Sequence, residues 1–133
     1  MIMRLLLLCG LLIGMAAPSH ALIIRNDNGG HVYSYAIRYA HAQKPIRIMG
    51  SCKSACTLAL HYRSTCVGSD ASLWFHAVRG AGKHNRRLTQ WVYGLYPPAV
   101  RTWIRSHGGL TSRPIILRGA ELRRIVKSCG RIA

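Results

Sequence analysis

Three short segments of this sequence carry side chains that can do chemistry together. In Gly50-Ser-Cys-Lys-Ser-Ala-Cys-Thr57 a serine lies between two apolar runs. Residues 45–49 have the pattern of a short strand, and residues 57–60 continue as the buried stripe of a helix, so Ser54 falls on a strand-to-helix turn. There the backbone N–H of Ala55 and the positive helix end can stabilise an oxyanion beside an exposed hydroxyl. Residues 22–25 read as a strand that ends in Asn26-Asp-Asn-Gly-Gly30, where the N–H groups of Gly29 and Gly30 can line the same site. Residues 71–76 form a further apolar strand that ends in His76, a candidate base. Each feature also has an ordinary reading. A serine here can be a plain helix cap, a Gly-Gly pair a turn that needs positive φ, and a strand-end histidine a hydrogen-bonded, half-buried side chain.

Taken in order, the glycine turn, the Gly-x-x-x-Ser elbow and the strand-end histidine resemble the Clp protease/crotonase superfamily. The Ser-Ala-Cys-Thr form of the elbow, with its extra cysteines, is most similar to the exported branch of that superfamily. The resemblance covers residues 22–80 well and the remainder weakly. It implies a small parallel α/β sheet with crossover helices, and a peptidase-like serine hydrolase site without a cofactor. Ser54 would be the nucleophile, His76 the base, and the Gly29-Gly30 turn with Ala55 the oxyanion hole. Two departures stand out. The family's acid lies shortly before the last helix, where this chain has Leu110-Thr-Ser-Arg-Pro114 and no carboxylate. The family's first strand-helix unit is also missing before the glycine turn.

The elements that must position these residues follow from periodicity. Residues 31–41 form a helix with Val32, Tyr35, Ala36, Tyr39 and Ala40 on one stripe. A strand at 45–49, an elbow helix at 54–62 and a strand region at 66–76 complete a strand–helix–strand alternation. That order argues for one parallel sheet with right-handed crossovers. Ligands then sit at the carboxyl ends of the strands, where Ser54, His76 and the glycine turn all lie. Residues 79–84 read as a flexible basic loop, and the second half as helical. One helix is capped by Asn85, a second runs from Pro97-Pro98 to Gly108-Gly109, and a third covers 120–128. Trp91 and Trp103 read as core.

The 133 residues allow one domain, expected over 22–133 after a signal peptide of residues 1–21. Leu5 to Met15 is shorter than the ~20 residues that a membrane span needs, and Ala21 ends a small-residue cleavage pattern. An uncleaved anchor is the alternative. Export to the periplasm or beyond places Cys52, Cys56, Cys66 and Cys129 in an oxidising compartment and favours two disulfides. Three pairings are open; adjacent parallel strands suggest Cys52 with Cys66, leaving Cys56 for Cys129. A zinc site from Cys52, Cys56, Cys66 and His61 is the competing reading, but C-x3-C is not a usual zinc spacing, and no metal is expected.

Nineteen Lys and Arg against three acids give a formal charge of +16. Such a field draws polyanions, yet nothing matches a nucleic-acid-binding motif, and specific nucleic-acid binding is not expected. Two functional readings follow. One is an exported serine hydrolase acting on a peptide or protein. The other is a non-catalytic envelope protein that binds anionic lipid or polymer through clusters such as Arg86-Arg87 and Arg123-Arg124. Relatives in the superfamily often form oligomers, so self-association is possible under either.

Overall fold

The computed structural model describes residues 20–42 and 44–130. The expected signal peptide falls almost wholly outside the described residues. The chain runs β1 (Leu22–Ile24), α1 (Val32–Ala40), β2 (Ile46–Ile48), β3 (Ser51–Lys53), a 3-10 helix (Ser54–His61), β4 (Cys66–Val67) and β5 (Ser72–Phe75). It continues through β6 (Arg79–Gly80), β7 (Lys83–His84), α2 (Arg86–Leu95), α3 (Pro98–Ser106), β8 (Ile115–Arg118) and α4 (Gly119–Ile125). The fold is therefore mixed α/β.

Parallel pairing holds for the first half, but the strands divide between two small sheets. β1, β2 and β4 are parallel neighbours, with Ile24 opposite Ile48 and Ile48 opposite Val67. β3 pairs in parallel with β5, and β5 pairs antiparallel with β8. The division occurs at Met49-Gly50, between β2 and β3. A Cβ on Gly50 would lie 2.9 Å from Asn26 Oδ1, so the turn after β1 packs directly on this break. Residues 66–76, expected as one strand region, divide in the same way, with β4 in the first sheet and β5 in the second.

The second half corrects several expectations. It carries a strand, β8, whose Leu117 is fully buried opposite Leu73. The run Pro-Ile-Ile-Leu is too short to declare itself as strand or helix from periodicity. Residues 79–84 form an antiparallel hairpin, with Arg79 opposite His84, instead of an irregular loop. Its turn uses positive φ at Ala81 and Gly82. Asn85 does cap α2, its Oδ1 accepting from Leu88 N–H at 3.0 Å, and α3 ends before Gly108 and Gly109, both at positive φ. The last helix stops at Ile125: Val126 N–H closes the final helical bond to the Leu122 carbonyl, but Val126 itself is extended, and the chain runs on to bridge Val67 at Ser128.

Tyr39, Ile46, Ile48, Leu73, Phe75, Ile104 and Leu117 form the centre of the core. Trp103 joins it against Phe75. Trp91 does not: it is 40% exposed, lying against Tyr33 on the outer face of α1 and α2.

Both disulfides form, with a different pairing from the one that strand adjacency suggested. Cys52 bonds Cys56 and Cys66 bonds Cys129. Cys52 lies in β3 and Cys66 in β4, which belong to different sheets. The bend at Ser54 instead returns Cys56 to Cys52. Cys129 reaches Cys66 because the terminal segment pairs with β4, where Val67 N–H bonds the Lys127 carbonyl and Cys129 N–H the Val67 carbonyl. All four of these sulfurs are bonded, so Cys52, Cys56 and Cys66 are not the free thiolates that the zinc reading needed. Two disulfides fit an oxidising, extracellular environment. Among the described residues no helix is long and apolar enough to cross a membrane.

Candidate active site

Ser54 is the first residue of the 3-10 helix and has φ +56°. That left-handed conformation is uncommon for a residue with a side chain and costs about 1–2 kcal/mol. It persists only where the surroundings enforce it. The enforcement is visible. The Cys52–Cys56 disulfide spans the bend. The Thr57 hydroxyl donates to the Ser54 carbonyl at 2.7 Å and accepts from the Tyr96 hydroxyl at 2.6 Å. The Tyr39 hydroxyl donates to the Cys56 carbonyl at 3.0 Å. Burial pushes both phenols well above the usual tyrosine range, so these hydroxyls stay protonated as donors.

Beneath the bend lies Gly29, at φ +80°. A Cβ there would stand 2.5 Å from the Lys53 carbonyl oxygen and 2.8 Å from Ser54 Cβ. Only glycine allows this approach. The Gly29 N–H donates to Asp27 Oδ1 at 2.8 Å, and the Tyr35 hydroxyl donates to the same oxygen at 2.6 Å. Burial and that bond raise the Tyr35 pKa to about 12. Asp27 also faces Arg38 at 3.8 Å. Asp27 is thus the brace of the glycine turn, and the Gly29 N–H, expected in the oxyanion hole, is engaged elsewhere. Gly29 seats the elbow, while Gly30 faces the site.

A cavity of about 190 Å³ opens at this point, lined by Gly30, Ser54, Ala55 and His76 together with Val32, Val78, Leu88, Val92, Tyr96, His31 and Arg79. The structure therefore brings Ser54, His76, Gly30 and Ala55 to one wall. β3 and β5 run parallel, so the residues that follow them, Ser54 and His76, emerge at the same edge. Among the described residues no carboxylate lines the cavity. Among the described residues no hydrogen bond joins the Ser54 hydroxyl to the His76 ring.

His76 Nδ1 lies 2.7 Å from the Ala77 carbonyl oxygen. A carbonyl only accepts, so Nδ1 carries a proton, and in the neutral ring the lone pair is then on Nε2. Ala77 N–H in turn donates to the Thr111 carbonyl at 2.7 Å. The segment 110–114, where an acid was absent from the sequence, thus meets the histidine loop with a backbone carbonyl. Fixing the tautomer is one of the two tasks that a triad acid performs; stabilising the imidazolium by full charge is the other, and here only a carbonyl dipole serves it. This backbone orienter, like the Thr57–Tyr96 tether, leaves no motif in the sequence. Comparison with models of known protein families finds no match, and comparison with curated proteins finds none.

Proposed function

We propose that this chain is an exported serine hydrolase, with a signal peptide over residues 1–21 and one Clp/crotonase-like domain over residues 22–133. The observation that carries the reading is the placement of Ser54. A non-glycine residue is held in the left-handed region at a strand-to-helix turn, on a cavity it shares with a histidine and two backbone N–H positions. Strain of this kind clusters at functional sites.

Catalysis would begin as Nε2 of His76 takes the Ser54 proton and Oγ attacks the acyl carbon. The carbonyl oxygen becomes an oxyanion between the N–H groups of Gly30 and Ala55. The imidazolium then gives its proton to the leaving group as the acyl–leaving-group bond breaks. Water, deprotonated by the same nitrogen, attacks the acyl carbon; the acyl–Oγ bond breaks and the imidazolium returns its proton to Ser54 Oγ. The missing Ser54–His76 hydrogen bond favours a second reading, in which the cavity binds an anionic partner without turning it over. Hydrolysis of 4-nitrophenyl butyrate by the exported chain separates the two. Ser54→Ala should fall to background, and His76→Ala should fall by roughly 10²–10⁴-fold. Equal rates in all three proteins would overturn the enzyme.

A further inference from the structure

Residues 79–87 read Arg-Gly-Ala-Gly-Lys-His-Asn-Arg-Arg, with no acid among them. In the fold they become the β6–β7 hairpin and the start of α2, with Arg79, Lys83, Arg86 and Arg87 exposed. This segment is anchored at the cavity mouth. Asn85 N–H donates to the Val78 carbonyl at 2.8 Å, and Val78 N–H donates to Thr89 Oγ1 at 2.9 Å. Arg79 lines the cavity itself and donates to the Ser112 carbonyl at 3.4 Å. That contact orients the guanidinium, and its other N–H donors have no acid at the site to meet. Asp27, in the neighbouring turn, is engaged by Gly29, Tyr35 and Arg38. Asp70 and Glu121 do not line the cavity. Val32 and Val92, both buried, and the half-buried Val78 and Leu88 give the same cavity aliphatic surface. The Arg123-Arg124 pair lies on α4, outside the lining.

We infer that this site selects acyl compounds carrying a carboxylate, with the aliphatic part of the acyl chain among the valines and Leu88 and the carboxylate on Arg79. The inference rests on the hydrolase reading for its chemistry and on the cavity alone for its binding. Planar guanidinium–carboxylate pairing is a strong, geometry-specific contact. Arg79 is then a specificity-determining residue, and the surrounding cations raise the encounter rate of anionic substrates.

A matched pair of esters tests it: the 4-nitrophenyl half-ester of adipic acid and 4-nitrophenyl hexanoate, which differ by a carboxylate in place of a methyl. Arg79→Gln should lower kcat/KM for the adipate ester roughly 10- to 100-fold more than for the hexanoate, chiefly through KM. Arg124→Gln, which removes the same charge elsewhere, should leave the ratio unchanged. Equal losses on both esters with Arg79→Gln, or an equal change of ratio with Arg124→Gln, would overturn the inference. Turnover of neither ester by the wild-type protein would overturn the hydrolase reading instead. Adipate binding to Ser54→Ala, measured by calorimetry, then decides the subsite alone. Binding that Arg79→Gln weakens about tenfold or more supports it, and no binding, or binding indifferent to Arg79, overturns it.

Discussion

Ser54 is gripped by groups from distant parts of the chain, whereas His76 is oriented by the peptide unit beside it. On the serine side, Gly29 follows β1, Tyr39 lies in α1, Tyr96 follows α2, and Cys52 lies in β3. On the histidine side, the described contact is the carbonyl of Ala77, whose N–H donates to the Thr111 carbonyl. The serine position is thus a property of the whole fold, and its strain is carried by many contacts. The histidine tautomer is a local property. Substitutions far from the cavity should therefore disturb Ser54 more readily than His76.

The two disulfides give the largest expected separation of stability from site geometry. Cys66 and Cys129 are 63 positions apart, and Cys52 and Cys56 only four. Loop-closure entropy assigns about 4 kcal/mol to the long link and about 2 kcal/mol to the short one. Replacing Cys66 and Cys129 by Ala should lower the denaturant midpoint more, yet leave the reactivity of Ser54 in the remaining folded protein largely intact. Replacing Cys52 and Cys56 should cost less stability and more reactivity. Parallel losses in both measurements for both pairs would show that the short link has no particular hold on the elbow.

Gly29→Ala comes next. With a Cβ 2.5 Å from the Lys53 carbonyl in a left-handed backbone, it should destabilise the protein by roughly 2–3 kcal/mol, measured by urea unfolding, and displace Ser54. A nearly neutral Gly29→Ala would mean that the turn does not seat the elbow. The smallest effect has the opposite sign. Ser54→Gly relieves the φ of +56° and should stabilise by about 1 kcal/mol while abolishing any nucleophile. Ser54→Ala keeps the strain and should be close to neutral in the same melts. A Ser54→Gly protein no more stable than Ser54→Ala would show that the left-handed conformation costs nothing here.

The local turn chemistry was legible in the sequence. The elbow at Ser54, the glycine turn, the Asn85 cap and the stop at Gly108-Gly109 each depend on neighbouring residues, and each is in place. What escaped depends on distant pairing. β8 is specified by its partner β5, the Cys66–Cys129 link by a terminal segment that pairs with β4, and the exposure of Trp91 by the face on which α2 packs. Of the residues that line the cavity, sequence reasoning named Ser54, His76, Ala55 and Gly30. It could not find the engagement of the Gly29 N–H by Asp27, nor the carbonyl that orients His76, because backbone acceptors carry no residue type. Arg79 carried a signal, a cation three residues after the candidate base, but a loop reading gave it no position.

The central claim is that Ser54 is an activated nucleophile, and labelling of the folded, oxidised protein with a fluorophosphonate serine probe tests it most directly. Mapping the adduct by mass spectrometry should place it on Ser54 Oγ. The His76→Ala protein should label roughly 10²-fold or more slowly, since the base is then gone. Folded wild-type protein that leaves Ser54 unmodified, or labels it as fast without His76 as with it, would contradict the account.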